Sequence, residues 1–220
     1  MKGEGPYRGE GRRRVTTSAR ARRLEAARLY VITPDAPPDR ILEIAAAAVR
    51  GGADVVQLRH KALARGALLD LARELRGVVR EALFVVNDYV DIAVLSGADG
   101  VHLGPDDLTV ASARKVAGDR LLIGVSASTP DAVQPGADYV GCGPAFATPL
   151  KPEKKIVGPA GVAAMAKAMK IPVFAIGGMD ESNADQLTAL GVHRVCVVRA
   201  VSDARDPEQA ARRLRAMLTA

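Results

Sequence analysis

The sequence predicts an α/β protein, a single (β/α)8 TIM barrel. Eight short apolar runs alternate with longer segments of helical periodicity, and this alternation indicates a parallel sheet. The runs consist mostly of Val, Ile and Leu, as expected for strands that are covered on both faces. At 220 residues, the chain fits one such domain.

The predicted elements follow one another from residue 29 to the C terminus. Strands are predicted at 29–33, 55–58, 83–86, 100–103, 121–125, 139–141, 173–176 and 194–198, and helices at 39–50, 66–80, 88–96, 161–169, 183–190 and 206–218. A further short helix at 19–28 is expected to cap one end of the barrel.

A short repeat favours closure of the sheet. Gly-Ala-Asp precedes the second, fourth and sixth strands at 52–54, 97–99 and 136–138, and Gly191-Val192-His193 takes the same place before the eighth. Glycine suits the left-handed residue at which a helix stops. The same punctuation at every second strand indicates four related quarters. An open doubly wound sheet is the alternative.

The positive charge lies in one segment. Residues 1–28 contain nine basic and three acidic residues, which accounts for the whole net charge of +6. A nucleic-acid-binding domain carries its positive charge on a folded face, so no nucleic-acid partner is expected. Residues 1–18 are rich in Gly and Arg without apolar periodicity. We therefore predict a disordered basic tail at 1–18 and a catalytic barrel at 19–220.

The apolar segments and the cysteines predict the cellular compartment. The sequence contains neither an apolar stretch long enough to span a bilayer nor the apolar region of a signal peptide. Cys142 and Cys196 lie in apolar runs, as buried reduced thiols do, so a cytoplasmic protein without a membrane partner is predicted.

Aromatic residues make up only 3%, so aliphatic side chains are expected to fill the core. Homo-oligomerisation is left open.

In such barrels the active site lies at the carboxyl ends of the strands. The second predicted strand leads into Gln57, Arg59 and Lys61, and strict alternation sends all three towards the mouth. An amide, a guanidinium and an ammonium together suit a polyanion such as a diphosphate. A solvated charged loop is the alternative.

Carboxylates follow the next two strands. Asp88 comes after the third strand, and Asp106 and Asp107 come after the fourth. Carboxylates from adjacent strands can share one Mg²⁺, which also uses substrate phosphate oxygens. The alternatives are a helix N-cap at Asp88 and a polar turn at Asp106–Asp107.

A second anion site is predicted on the other side of the mouth. Paired glycines, Gly177 and Gly178, follow the seventh strand, and Val198 and Arg199 follow the eighth. The corresponding loops bind phosphate in many barrels. Two anion sites imply two phosphorylated small-molecule substrates. Arg199 either faces the mouth or pairs on the surface with an acid such as Asp203.

Three further features complete the predicted mouth. Ser126 and Ser128 end the fifth strand, where they either contact a ligand or cap a helix. The loop from residue 143 to 158 is a natural lid, and Lys151 is its best candidate for reaching a substrate charge. His60 and His102 are interpreted as structural.

The ordered segments QLRHK, VNDYVDIA, GADGVHLGPDDL, IGVSAST, ADYVGCGPAFAT and AIGGM resemble the thiamine-phosphate synthase family, over about residues 29–215. The resemblance implies a Mg²⁺-dependent transferase. Such an enzyme joins hydroxymethylpyrimidine diphosphate to a thiazole phosphate and releases pyrophosphate.

The resemblance also implies a role for each matched residue. The diphosphate and pyrimidine would be held by Gln57, Arg59, Lys61 and Asn87, and Mg²⁺ by Asp88 and Asp107. Ser126 and Lys151 would contact the pyrimidine substrate, while Thr148, Gly178, Val198 and Arg199 would surround the thiazole phosphate.

Two positions depart from the family pattern. Leu150 replaces the second Thr of a Thr-x-Thr-Lys loop, and Arg199 stands where the family often has Ser. A related thiazole tautomerase, an isomerase that needs no Mg²⁺, is one alternative. It typically has a His in the stretch that here reads Ser126-Ala127-Ser128. A non-catalytic thiamine or phosphate sensor is the other.

Overall fold

A computed structural model describes residues 19–148 and 155–219 and confirms the barrel. Eight parallel strands close in chain order, and the eighth pairs with the first through Leu29–Val195 and Tyr30–Cys196. This pairing excludes the open doubly wound sheet, because the edge strands of an open sheet do not meet. The tail predicted at 1–18 lies outside the described residues and stays a prediction.

The elements lie close to the predicted bounds. The strands are β1 Leu29–Ile32, β2 Val55–Leu58, β3 Leu83–Asn87, β4 Gly100–Leu103, β5 Leu122–Ser126, β6 Tyr139–Cys142, β7 Val173–Ile176 and β8 Val195–Val197. The helices are α1 over residues 19–26, α2 Pro38–Arg50, α3 Arg65–Val78, α4 Val90–Leu95, α5 Val110–Ala117, α6 Gly158–Ala168, α7 Ala184–Thr188, α8 Arg199–Ser202 and α9 Pro207–Met217. Every helix in the described ranges falls short of what crossing a membrane requires in length and apolar character.

Alternation along the strands produces two apolar layers. In β1, Leu29 and Val31 pack outwards against the helices, whereas Tyr30 and Ile32 point into the barrel. The main core therefore lies between the sheet and the ring of helices. Leu24 of α1 joins the interior cluster, so this helix covers one end of the barrel, as the sequence predicted.

Aliphatic side chains dominate the outer layer of the core, as expected, whereas aromatic rings occupy the barrel interior. Tyr30, Tyr139 and Phe174 are fully buried at its centre, with ring centroids 5.4–5.9 Å apart. Gly124 makes room for them, because a Cβ there would lie 2.0 Å from Cζ of Tyr139. Composition counts aromatic residues without locating them, so it did not show that three of them meet in the interior. Closing eight strands leaves an axial space that large side chains must fill.

The Gly-Ala-Asp repeat ties neighbouring strands together at the amino-terminal end of the barrel. Its glycines have positive φ, as predicted. The carboxylate of Asp99 accepts the Phe84 N–H at 2.9 Å and pairs with Arg20 at 2.9 Å and Arg76 at 2.7 Å. Asp54 and Asp138 accept main-chain N–H groups of Leu29 and Ile123 in the same way.

The fourth quarter differs from the other three. β8 begins at Val195, which pairs with Ala175 of β7. In the same way, β2 begins at Val55, which pairs with Tyr30 of β1. Arg194, and not His193, is therefore the residue directly before the strand. The predicted equivalence of His193 with the aspartates was wrong by one residue, because the segment between Gly191 and the strand is one residue longer.

Both cysteines are buried free thiols. Cys142 packs in the outer layer and Cys196 in the barrel interior. Burial raises the pKa of Cys142 to about 11 and that of Cys196 further. Both therefore stay protonated at neutral pH, consistent with the predicted structural role.

Candidate active site

Basic residues follow β2 and are organised by an acid that follows β1. The guanidinium Nη1 of Arg59 lies 3.1 Å from Oδ2 of Asp35, and the main-chain N–H of Lys61 donates to Oδ1 of the same carboxylate at 2.7 Å. Thr33 Oγ1 accepts the Arg59 N–H at 3.1 Å. These bonds hold the Arg59–Lys61 turn against the end of β1, at the mouth.

Gln57 lies elsewhere than strict alternation predicted. Its side chain is buried inside the barrel, where Nε2 donates to the Tyr30 hydroxyl at 2.7 Å. Because β2 ends at Leu58, Arg59 and Lys61 belong to a turn in which alternation no longer applies. The three residues therefore form two levels, one in the barrel and one at its rim.

A hydrogen-bonded chain crosses the barrel interior from Gln57 to Ser126. The Tyr30 and Tyr139 hydroxyls are 2.9 Å apart, and the Tyr139 hydroxyl lies 3.3 Å from Nδ1 of His102. The other ring nitrogen, Nε2, lies 3.0 Å from Oγ of Ser126. Burial raises the pKa of both tyrosines, so each phenol remains a donor. A cavity of about 20 Å³ beside this chain has room for one water molecule.

Asp88 sits at the rim with a strained backbone. Its φ of 63° makes it the one left-handed non-glycine in the described part of the chain, and such strain concentrates at functional positions. Oδ2 accepts from Lys61 Nζ at 2.8 Å. The alternative of a helix N-cap is wrong, because α4 begins after Tyr89 and its cap makes no side-chain bond.

Asp107 shares this corner of the mouth. Burial and, after it, the neighbouring Asp88 carboxylate raise the pKa of Asp107, against the opposing effects of the Gly104 N–H and Lys61. Gly104 N donates to Oδ2 at 2.7 Å. Two acidic groups in contact disfavour double ionisation unless a cation lies between them. The pair fits a hard divalent cation, although the described residues contain no cluster of three or more metal-ligating side chains.

Asn87 connects the rim to the interior chain. It is the last residue of β3 and pairs in register with His102 of β4, and it is half-buried. The main-chain N–H of Asp88 donates to the His102 carbonyl at 2.8 Å. The sheet thus brings Asn87, Asp88, Asp107 and Ser126 together on one side of the mouth.

The paired glycines form a tight turn against the loop after β6. Gly177 and Gly178 have φ of 99° and 65°. A Cβ on Gly178 would lie 2.4 Å from the Ala147 carbonyl oxygen, so only glycine fits. Phe146 N donates to Gly177 O at 2.9 Å. Thr148 is half-buried at the end of this described stretch.

Val198 and Arg199 lie at the start of the short helix α8. Val198 is half-buried and precedes the helix, whereas Arg199 is exposed. The carboxylate of Asp203 accepts the Ser202 hydroxyl at 2.8 Å. Among the ion pairs of the described residues, Arg199 has none with Asp203. Lys151 and Leu150 lie outside the described residues, so their predicted roles stay predictions.

Sequence reasoning missed Asp35, Tyr30 and Tyr139. Asp35 follows the first strand, and the rule that singled out Asp88 could have found it. The two tyrosines gave no such signal, because a Tyr in an apolar strand is ordinary. Nδ1 of His60 accepts the N–H groups of Ala62 and Leu63 at 3.2 and 3.0 Å, as expected for the structural role that the sequence predicts.

Comparisons with known proteins identify the family of this chain. A family model described as thiamine monophosphate synthase matches residues 29–201. A thiamine-phosphate synthase of Thermobifida fusca is 45% identical over 214 residues, covering 90% of this chain and 95% of that protein. The one of Gloeobacter violaceus is 47% identical over 191 residues, 84% of this chain, but the match spans only 55% of that longer protein.

A solved structure gives the same result. The thiamine phosphate pyrophosphorylase from Pyrococcus furiosus superposes with a TM-score of 0.79 at 33% identity, covering 90% of this chain and 96% of that one. Residues 29–201, which the family model matches, include every described strand. The chain therefore belongs to the thiamine monophosphate synthase family.

Proposed function

We propose that the chain is a thiamine-phosphate synthase. It would condense 4-amino-2-methyl-5-hydroxymethylpyrimidine diphosphate with a thiazole phosphate to give thiamine phosphate and pyrophosphate. One observation carries the proposal beyond family membership: Lys61 lies 2.8 Å from Asp88, and Asp88 adjoins Asp107, beside the Arg59 turn. Cationic side chains next to a carboxylate pair suit a diphosphate leaving group that is also bound to a metal ion.

Asp88 and Asp107 would hold Mg²⁺. Bound there, the ion would neutralise the diphosphate oxygens as negative charge grows on them. Arg59 and Lys61 would bind the same oxygens from the β2 side. Arg59 pairs with Asp35 and Lys61 pairs with Asp88, so the diphosphate would compete with these carboxylates for the two cations.

The interior chain would orient the pyrimidine. Asn87 and Ser126 end their strands at the carboxyl end of the barrel, and Gln57 lies in the interior below them. Nε2 of His102 lies 3.0 Å from the Ser126 hydroxyl and orients it. A buried set of donors and acceptors with defined partners distinguishes a ring with matching nitrogens from one without them. The C–O bond to pyrophosphate would break while the pyrimidine methylene faces the second substrate.

The thiazole phosphate would bind on the opposite side of the mouth. The Gly177–Gly178 turn, Thr148, Val198 and Arg199 would surround its phosphate, and Lys151 of the lid would approach the pyrimidine substrate. The thiazole nitrogen then attacks the methylene carbon, and the C–N bond replaces the C–O bond to pyrophosphate. We propose a cytoplasmic location and small phosphorylated partners, with no nucleic acid and no membrane.

The test is a thiamine-phosphate assay on the purified chain with both substrates. Pyrophosphate and thiamine phosphate should form in equal amounts with Mg²⁺ and fall to background in EDTA. Isomerisation of the thiazole carboxylate without Mg²⁺ would instead assign the tautomerase. Binding of both substrates without turnover would assign a sensor, and either result contradicts the proposal.

A further inference from the structure

The amino-terminal end of the barrel, opposite the active site, contains a cavity of about 130 Å³. It lies between the end of α6 and the segment that leads into β8. Its charged and titratable lining residues are Glu25, Lys170, His193 and Arg194. Several water molecules, or one small ligand, fit a space of this size.

Two residues that line this cavity each have a buried polar atom without a hydrogen-bond partner among the described residues. Nδ1 of His193 and Nε of Arg194 are buried, and neither has a hydrogen-bond partner within the described part of the chain. An arginine Nε–H can only donate, and leaving a buried donor unsatisfied costs about 1–3 kcal/mol. A native structure usually satisfies such groups with protein atoms, ordered water or a bound ion.

Comparison of the four quarters identifies what is missing. Directly before β2, β4 and β6 stands an aspartate whose carboxylate pairs with an arginine of the surrounding helices. These pairs are Asp54 with Arg215, Asp99 with Arg20 and Arg76, and Asp138 with Arg114. Before β8 the residue is Arg194, so the fourth quarter has a cation where the others have an anion.

Glu25 does not replace the missing carboxylate. Its Oε1 lies 3.4 Å from Nη2 of Arg194 and its side chain is 68% exposed. The shorter contact of that nitrogen is with the Glu25 main-chain oxygen, at 2.7 Å. Nothing in the described part of the chain satisfies Nε of Arg194, and Lys170 adds a second positive charge to the lining.

We propose that this cavity binds a small oxyanion, phosphate being the probe of choice, in the position that an aspartate carboxylate occupies in the other quarters. Arg194 and His193 turn towards the anion to donate to it, and Lys170 adds charge. Such charge-assisted bonds are stronger than neutral ones. The site is separate from the mouth, so the proposal does not depend on the proposed enzymatic activity.

Three histidines make the site observable. Inorganic phosphate is titrated into the full chain at constant pH and ionic strength, and the imidazole signals are followed by NMR. The His193 signal should shift and saturate, whereas His60 and His102 report on the mouth. Arg59→Ala should leave the His193 response unchanged. An equal shift with chloride, or no saturable shift while the mouth signals respond, overturns the proposal.

Matched lysine variants complete the test. Lys170→Gln should raise the phosphate Kd measured at His193 about tenfold, as expected for the loss of one charged contact. Lys167→Gln, at an exposed position of α6, which ends shortly before Lys170, should leave the Kd unchanged. A Kd unaffected by both Lys170→Gln and Arg194→Gln contradicts the proposal. Glycerol phosphate as a second titrant shows whether esters bind as well as the free ion; either result supports the site.

Discussion

The ammonium of Lys61 lies 2.8 Å from Oδ2 of Asp88, and the same Asp88 carboxylate raises the pKa of Asp107. One lysine thus balances one of two acids that come from adjacent strands. The arrangement leaves a net negative corner next to the cationic Arg59 turn. A divalent cation would complete its neutralisation, and the first two predictions follow from this.

Asp88→Asn or Asp107→Asn should preserve the fold and lower turnover by roughly 10²-fold or more, because loss of a metal ligand weakens leaving-group stabilisation by several kcal/mol. Raised Mg²⁺ should partly restore the rate. Steady-state kinetics with thermal unfolding as the fold control measures both. Asp106→Asn is the matched variant, since Asp106 is adjacent and exposed. An equal loss in Asp106→Asn would argue against a specific metal pair.

Asp107 should couple stability to pH. Its pKa is raised in the folded state, so its contribution to stability is complete below the ordinary value of 3.8 and is lost as pH rises through the raised value. Urea unfolding across this window should show the loss. Asp88→Asn should make this loss of stability smaller, because the Asp88 carboxylate then no longer raises the pKa of Asp107 and only burial does so. Mg²⁺ requires the ionised pair, so its affinity should increase with pH in the same window. A pH-independent affinity there would contradict the assignment.

Arg59→Ala should weaken binding of the pyrimidine diphosphate by about 1.5–3 kcal/mol, the cost of losing a charged hydrogen bond. Binding of the thiazole phosphate should stay unchanged, since its proposed site lies across the mouth. Titration calorimetry with each substrate measures the difference. Arg73→Ala, in an exposed pair with Asp70 on α3, is the control. Equal weakening of both substrates would make Arg59 a structural residue.

Arg199→Ala should raise the thiazole phosphate KM about tenfold or more and leave the diphosphate KM unchanged, because a charge-assisted phosphate contact is removed. The exposed position of Arg199 and its lack of a described pairing with Asp203 leave the guanidinium available. Steady-state kinetics with each substrate varied in turn tests this. An unchanged thiazole KM would assign phosphate binding to main-chain N–H groups near Gly178.

Asp99→Ala should destabilise the fold by about 3 kcal/mol, because the partly buried Arg20 and Arg76 and the buried Phe84 N–H lose their shared partner. Glu43→Ala, which removes an exposed pair with Arg40, should change the free energy of unfolding by less than about 0.5 kcal/mol. Urea denaturation compares them. Equal losses of stability in the two variants would mean that the bonds of Asp99 stabilise the fold no more than an exposed ion pair does.

The local pattern determined the fold class. Apolar runs of strand length, helical periodicity between them and the repeated glycines sufficed for a (β/α)8 barrel, and every described strand lies within two residues of its predicted bounds. The reason is physical: buried parallel strands and amphipathic helices have distinct periods, and both periods are local. The types of residue at the strand ends likewise indicated an anion and metal site.

Position in space was decided only by the tertiary structure. Closure of the barrel placed the Gln57 side chain in the interior beside Tyr30, while Arg59 and Lys61 stayed at the rim. It also brought His102 of β4 within hydrogen-bond distance of Ser126 on the neighbouring strand β5. One extra residue before β8 put Arg194 in the place of an aspartate. The sequence by itself thus determined the elements and the chemistry at their ends, because side-chain type and period are properties of the chain. Partners, register and burial depend on contacts between residues far apart along it, and only the closed barrel fixes those.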